Sequence, residues 1–407
     1  MVGPVTRRAL ALAVLVAALG YFVDIYDLIL FSIVRVPSLR DIGVPADQIF
    51  PTGVMLLNMQ MTGMLIGGIV WGVLGDKRGR LSVLFGTIVL YSIANLLNAW
   101  VMTVPQYAAL RLIAGIGLAG ELGAGITLVS ELMPRESRGY ATSLVAAIGI
   151  CGAVAAFVVG ERFDWRTAYL VGGVMGLALL LLRVGVQESG LFRQVQAGSH
   201  ARGQFLMLFT TWRRASRYLA SILVGVPIWY VVAILMTFAP EIARATGMHP
   251  LPDAGRAVVF CYVGLSVGGI VSGWLSQWLR SRKKVLALFV GLTAAGVAVY
   301  FLPGPKPLGS FYALCFALGV AGGYWSIFIT VASEQFGTNL RATATTTVPN
   351  FVRGAVVPLS KAFGALGASM GLVSAGVLLG VIVLTLAAVS IALLDETYGR
   401  DLDFNET

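Results

Sequence analysis

Charge is scarce in this chain. Of its 407 residues only 12% are Asp, Glu, Lys or Arg, about half the share a soluble domain needs to clothe its surface, which is roughly 25%. Histidine is scarcer still. His200 and His249 are the only two, both in polar connecting stretches, and no H-x-x-x-H pair or histidine-centred triad can be built from them. That disfavours a metal-dependent or histidine-based enzyme. The three cysteines, Cys151, Cys261 and Cys315, all fall inside apolar stretches, where a thiol reads as a small packed hydrophobe rather than a disulfide partner. Long hydrophilic segments are nearly missing too. The longest runs from about 188 to 214 and leaves no room for an appended soluble domain. The first apolar stretch is too long for a cleaved signal peptide, and Asp24 and Asp27 interrupt it.

What is present in excess is apolar length. Hydrophobic residues make up 57% of the chain, with a mean hydropathy of +0.85. A bilayer core about 30 Å thick takes roughly 20 apolar residues per helix. Twelve stretches meet that length, near 9–34, 50–75, 80–102, 105–132, 139–160, 166–187, 215–240, 256–279, 284–302, 308–333, 343–363 and 369–394. Continuous runs of this kind predict helices, since barrel strands alternate over about ten residues.

The net charge of +10 is a matter of topology rather than of nucleic acid. Arg7 and Arg8 precede the first stretch, and Lys77, Arg78 and Arg80 follow the second. Arg135 and Arg138 follow the fourth; Arg193, Arg202, Arg213, Arg214 and Arg217 fill the longest loop. Arg280, Arg282, Lys283 and Lys284 follow the eighth, and Arg341 the tenth. If each stretch crosses once, all these loops share one side, which the positive-inside rule makes cytoplasmic together with both termini. Anionic lipid headgroups are the expected neighbours of these loops.

The hydrophilic stretch divides the chain six and six, predicting a bundle at 1–187, a linker at 188–214 and a second bundle at 215–407. The halves echo each other. Glu131 and Arg138 end the fourth stretch with six residues between them, and Glu334 and Arg341 end the tenth in the same way. Glu188-Ser189 after the sixth matches Glu396-Thr397 after the twelfth. Gly273-Trp-Leu-Ser-Gln277 with Arg280 is a decayed copy of Gly72-Val-Leu-Gly-Asp76-Lys77-Arg78-Gly79-Arg80.

A few polar residues sit where lipid or apolar packing is expected. Asp24 and Asp27 flank Tyr26 and share a helix face, being three apart. A charge deep in a span costs at least about 2.5–3.5 kcal/mol, so such groups face a cavity or a partner. They are candidate proton carriers, or a buried pair that holds helices together. Arg111 and Glu121 lie in the fourth stretch; Arg111 is placed to pair with Asp24 or Asp27, as a switchable or a permanent ion pair. Arg353 in the eleventh has no acidic neighbour in its own helix, so it either binds an anionic solute or pairs with Asp24, Asp27 or Glu121. Aromatic candidates for a pocket wall are Tyr26, Trp229, Tyr230, Tyr324 and Trp325. Asp76, between bases at a helix end, is a candidate gate element. Two spacings mislead: Gly115-x-Gly-x-x-Gly120 imitates a dinucleotide loop and Gly264-Leu-Ser266-Val-Gly268 a hydrolase elbow, but neither follows a strand.

The segment Gly72–Arg80 resembles the loop signature between the second and third helices of the major facilitator superfamily. Arg111-x-x-x-Gly115-x-Gly117 resembles that family's fourth-helix motif, linked to proton coupling, and Asp395-Glu-Thr-Tyr-Gly-Arg400 resembles the ending of its sugar and metabolite porters. The first helix, Gly120-Glu121 with Glu131, and Glu188-Ser189-x-x-Phe192 are similar to the metabolite:proton symporter branch, although Asp24 stands where that branch has Glu and Pro is missing after Ser189. The resemblance implies an all-α polytopic membrane protein with twelve transmembrane helices in two pseudo-symmetric six-helix bundles. It also implies alternating access, no cofactor, a monomer in a bacterial inner membrane, and symport of protons with a small carboxylate-bearing solute. A uniporter or exporter of a larger solute and a non-transporting sensor are the alternatives. It further assigns proton coupling to Asp24, Asp27, Arg111 and Glu121, and gating to Gly72–Arg80, Glu131, Arg138, Glu334 and Arg341.

Overall fold

The computed structural model describes residues 7–78, 80–123, 125, 129, 135–183, 205–302 and 306–399. The first six spans are Arg7–Asp41, Ile49–Arg78, Arg80–Asn98, a fourth whose regular helix is Val104–Leu118, Arg135–Arg162 and Trp165–Arg183. The seventh is Trp212–Trp229 continued by a π-helical turn, Tyr230–Met236, with a short helix Ala239–Ala245 after it. The eighth and ninth are Ala254–Trp278 and Arg282–Phe301. The tenth is broken into Leu308–Gly322 and Trp325–Glu334, and the eleventh into Thr338–Gly354 and Val356–Met370; Leu372–Leu393 is the twelfth. Among the described residues there is no strand. The first helix runs past its expected end at 34 and through Pro37 to Asp41, because Arg35 and Ser38 are buried there against partners rather than left at an apolar boundary.

Helix packing repeats with the sequence. The first span packs on the fifth, the second on the fourth and the third on the sixth; the seventh packs on the eleventh, the eighth on the tenth and the ninth on the twelfth. Each pair is the other shifted by six spans. Contacts between the halves follow the same rule, since the second meets the eleventh and the fifth meets the eighth. Glycine permits the tightest of these crossings. A Cβ on Gly63 would strike the Leu112 carbonyl oxygen and one on Gly115 that of Gln60; in the other half Gly264 abuts the Phe316 carbonyl and Gly319 that of Cys261. The glycines that imitate a nucleotide loop are therefore close-approach points between helices.

The outward faces are apolar, with Leu181, Ile270 and Leu393 all more than 60% exposed, as lipid-facing positions should be. Cys261 and Cys315 are buried as expected, but Cys151 is exposed, because its helix turns that position away from the bundle. Lys77 and Arg78 project from one end of the second span; that end is called the basic face below, and the end bearing Asp41 and Trp165 the opposite face.

Candidate functional site

Two broken helices and one interrupted one build the centre. Pro227 cannot donate a backbone hydrogen bond, and beyond it the seventh span widens so that the Thr237 amide bonds to the Val232 carbonyl, five residues back, at 3.2 Å. Such π turns gather at functional sites. This one begins directly after Trp229. The break in the tenth span falls directly before Trp325, and that in the eleventh directly after Gly354. The Arg353 guanidinium consequently lies between two indoles, 5.7 Å from the Trp229 ring centre and 5.8 Å from that of Trp325, within cation–π range of both.

Across the interface between the halves stands Asp24. Its carboxylate is 3.9 Å from the Arg353 guanidinium, and both side chains are fully enclosed, at 0% and 1% exposure. Among the described residues neither Asp24 oxygen completes a hydrogen bond, so the pair is held by charge. Asn350 positions the arginine: it accepts from Arg353 at 3.5 Å and donates to the Ala119 carbonyl of the fourth span at 2.7 Å. Tyr21 and Tyr262 lie within electrostatic reach of both members of the pair.

Arg111 is placed differently from expectation. Instead of an ion pair with Asp24 or Asp27, it makes hydrogen bonds to the Gln60 side chain and, at 3.3 Å, to the Tyr169 hydroxyl, and it stacks over Phe31 at 4.6 Å. Tyr169 shares a 2.7 Å bond with Tyr107, whose hydroxyl reaches Ser38. Gln60 on the second span and Tyr169 on the sixth supply these neutral partners. Asp27 feels Arg111 only at a distance, and its nearest polar side chain is Asn95 of the third span. Glu121 is buried and accepts from Thr87 at 3.3 Å.

In three aromatic candidates the hydroxyl is tied to a helix carbonyl. The Tyr26 hydroxyl donates to the Ala168 carbonyl at 2.8 Å, Tyr230 to that of Gly376 at 2.5 Å and Tyr324 to that of Val224 at 2.9 Å. Each is committed to a helix of its own half, whereas Trp229 and Trp325 face the arginine.

Of the gate candidates, Gly72 lies buried against Thr346 and Thr347 of the eleventh span, 3.6–3.8 Å from where its Cβ would be. Lys77 and Arg78 are exposed. Gly79 and Glu131, and the side chains of Asp76, Arg80 and Arg138, lie outside the described residues. Glu334 accepts from Thr397 at 2.6 Å and faces Arg282 at 3.6 Å. Arg341 sits in the first turn of Thr338–Gly354. Glu396 caps the start of the ninth span, taking bonds from Ser281 and from the backbone amides of Arg282 at 2.9 Å and Lys283 at 3.3 Å. The Glu396-Thr397 dipeptide thus ties the end of the chain to two helix ends on the basic face.

The opposite face is closed by groups that the sequence reading missed. Arg35, wholly buried, donates to Glu241 at 2.7 Å and to the Thr237 carbonyl at 3.2 Å, with the Phe238 ring 4.9 Å away. Beside it Asn58 bonds Ser360 at 2.6 Å, and Phe50 packs on Phe238 and Phe363. Glu161 pairs with Arg256 at 3.0 Å. All of these join the first half to the second. A signal did exist for Arg35: it lies eleven residues after Asp24, close to three turns, and so on the same helix face.

Such a centre, an ion pair across two pseudo-symmetric halves with one mouth bolted, suits a solute carrier. Known proteins agree. The sequence pattern described as Major Facilitator Superfamily matches residues 10–360. The 3-(3-hydroxy-phenyl)propionate transporter of Escherichia coli is 29% identical over 78% of this chain and 75% of its own length. The niacin transporter NiaP of Acinetobacter baylyi is 26% identical over 80% of each. A D-xylose-proton symporter of known crystal structure superposes with a TM-score of 0.73 at 19% identity, covering 96% of this chain and 99% of that one, which speaks for the fold alone. This chain belongs to the Major Facilitator Superfamily and is an integral membrane transporter of small solutes.

Proposed function

We propose that this transporter carries a small aromatic carboxylate together with a proton, with Arg353 as the anion site. The observation that carries the reading is the Arg353 guanidinium, enclosed between Trp229 and Trp325 and balanced by a carboxylate that makes no hydrogen bond among the described residues. A planar guanidinium suits a carboxylate through two parallel bonds, and two indoles suit an attached ring. The named relatives that handle niacin and a hydroxyphenylpropionate fit this class.

Charge balance supplies the coupling. A solute carboxylate that takes Arg353 displaces Asp24, and a lone buried carboxylate is expensive. Asp27 lies one turn from Asp24 on the same face, so a proton on Asp27 relieves the surplus negative charge. A monocarboxylate entering with a proton leaves the net charge of the centre unchanged, and transport of such a solute is electroneutral. The basic face is cytoplasmic in this reading, with both termini inside a bacterial inner membrane and the linker 188–214 joining halves 1–187 and 215–407 that rock about the centre.

The test is reconstitution with an internal pH dye. Nicotinate, 3-hydroxyphenylpropionate, succinate and xylose are added in turn, to the native protein and to Arg353→Met. The aromatic acids should move protons, and Arg353→Met should weaken their binding by about 2–5 kcal/mol if the contact is direct and desolvated. Retained affinity in Arg353→Met together with a collapsed melting temperature would mean that Arg353 only holds Asp24. A proton response to xylose alone would overturn the substrate class.

A further inference from the structure

The eleventh span carries a polar face through its first segment. Thr343, Thr346, Thr347, Asn350 and Arg353 recur there every three or four residues, on one side of the helix. Towards the basic face from Arg353, the halves meet along this side. A Cβ on Gly68 of the second span would lie 2.7 Å from that of Asn350, and one on Gly123 of the fourth would lie 2.7 Å from the Thr346 hydroxyl. One on Gly72 would touch Thr346 and Thr347 at 3.6–3.8 Å. Glycines thus bring the backbone of the first half directly onto the polar face. Of these contacts, that of Asn350 is nearest the centre, three residues and so about 4.5 Å along the axis from Arg353.

Asn350 is tied on three sides. Its Nδ2 group donates to the Ala119 carbonyl of the fourth span at 2.7 Å and to the Thr346 carbonyl of its own helix at 2.8 Å. Both amide hydrogens are therefore engaged, and the amide has no reason to turn round. Its oxygen is fixed towards Arg353 and accepts from Nη1 at 3.5 Å. That leaves one edge of the guanidinium for others. Nη2 faces Asp24 at 3.9 Å, and Nε has no partner among the described residues. The Nε–H and one Nη2–H of a guanidinium point the same way, and such a parallel pair is a fork for both oxygens of a carboxylate.

We propose that Asn350 is a positioning residue of the anion site: it holds Nη1, turns the Nε–Nη2 edge to the solute carboxylate, and makes that grip depend on whether the basic face is shut. The inference rests on the reading that Arg353 takes the solute. The dependence comes from the Ala119 bond, which joins the halves. When they part on the basic face, the amide loses its anchor on the fourth span. Nη1 then loses its fixed acceptor, and the fork is no longer aimed. The carboxylate is held tightly in the shut form and weakly in the open one, so opening itself loosens the solute. Linkage makes the effect reciprocal: bound solute favours the shut form by the same factor.

The test joins affinity to conformation on the full-length protein in nanodiscs. Binding of nicotinate and of 3-hydroxyphenylpropionate is measured together with the electron–electron distance across the basic face. The labels replace Ser82 and Lys284, both exposed, in a Cys151→Ser background. Asn350→Ala should weaken binding of the acids about ten- to a hundredfold, the scale of one hydrogen bond to a charged group. At saturating acid the native protein should gain a short-distance component, and Asn350→Ala should not. A residue that merely packs would change affinity without abolishing this response. Gly68→Ala, whose methyl meets Asn350 from the other half, should reproduce both effects. Asn350→Thr, which can still bond the Thr346 carbonyl, serves if Asn350→Ala fails to fold. An equal distance response in the native protein and Asn350→Ala would refute the role of Asn350. So would native affinity in both Asn350→Ala and Gly68→Ala where Arg353→Met has lost it, and the anion site would then stand without Asn350. Native affinity in Arg353→Met, or no binding of either acid to the native protein, would remove the anion site and the inference with it.

Discussion

The bolt on the opposite face permits a sharp test through Glu241. Arg35 is wholly buried, and its ion pair with Glu241 spans 2.7 Å, with the Glu241 side chain 15% exposed. Removing the acid leaves the guanidinium with the Thr237 carbonyl and the Phe238 ring, while its Nε and Nη1 already lack partners. Truncating one member of a buried, hydrogen-bonded charge pair costs about 2–5 kcal/mol, much of it the penalty on the charge left behind. Because Glu241 keeps some contact with water, the lower end applies. About 2 kcal/mol is close to thirtyfold in an equilibrium. The penalty falls only on the conformation in which the halves meet here, so Glu241→Gln should shift the population by that factor towards the state open on the opposite face.

The shift is measured by electron–electron distance spectroscopy between labels replacing Arg40 and Ala245, both exposed and on opposite sides of the bolt. Cys151, the exposed native thiol, is first changed to Ser. Glu241→Gln should add a long-distance component. The apolar pair Arg35→Met with Glu241→Leu should remove it, since well-packed apolar residues replace a buried ion pair at little or no loss. An unchanged distance distribution in Glu241→Gln would show that the aromatic contacts of Phe50, not this pair, hold the face shut.

Two further outcomes follow from packing and from a cap. Gly115→Ala should lower the melting temperature, because the added methyl meets the Gln60 carbonyl of a neighbouring helix, and overpacking of this kind costs about 1–3 kcal/mol. Gly291→Ala, which meets nothing within 4 Å, should leave it unchanged or raise it, by up to about 1 kcal/mol of helix preference. Burial tends to raise the Glu396 carboxyl, but its bonds from Ser281 and from the backbone amides of Tyr398, Arg282 and Lys283 prevail and hold it below the ordinary 4.5. A depressed folded-state value gives stability that is present above the ordinary value and lost as pH falls through the folded one. Glu396→Gln should therefore lower the melting temperature at neutral pH, and the gap to the native protein should close as pH drops below 4.5.

The spans were legible because bilayer thickness fixes their length, and the repeat because corresponding helix ends kept their Glu and Arg residues. Arg353 was legible because an arginine so deep demands a counter-charge, and Asp24 was among the three acids able to supply it. Rotation about each helix axis was less legible. Tyr26, Tyr230 and Tyr324 have the composition of a pocket wall, but their hydroxyls meet carbonyls of their own half. Arg111 has neutral partners, Gln60 and Tyr169, from two separate helices, a fact of tertiary packing with no local spacing to announce it. Arg35 escaped notice because an arginine near the end of an apolar run reads as a boundary charge, and only the contact with a helix 206 residues away shows otherwise.

The two ion pairs on the first span differ in geometry. The outer pair, Arg35 with Glu241, is short and reinforced by a backbone carbonyl; the inner pair, Arg353 with Asp24, is 3.9 Å long and its carboxylate makes no hydrogen bond among the described residues. Under the proposed function, a solute carboxylate that forms two bonds to Arg353 displaces Asp24, which forms none among the described residues, so the exchange is favourable at the inner site. No such replacement is on offer at the outer one, where Glu241 already occupies a guanidinium nitrogen. Both pairs tie the same helix to the second half. Loosening the inner tie removes one of two constraints on the first span while the outer tie keeps the opposite face shut. Under the proposed function, a solute arriving from the basic face binds behind a closed door that opens when the remaining tie is broken. That order of events is what Glu241→Gln disturbs: with the outer tie weakened, the opposite face opens without waiting for solute, and protons should leak through the protein in the absence of any carboxylate.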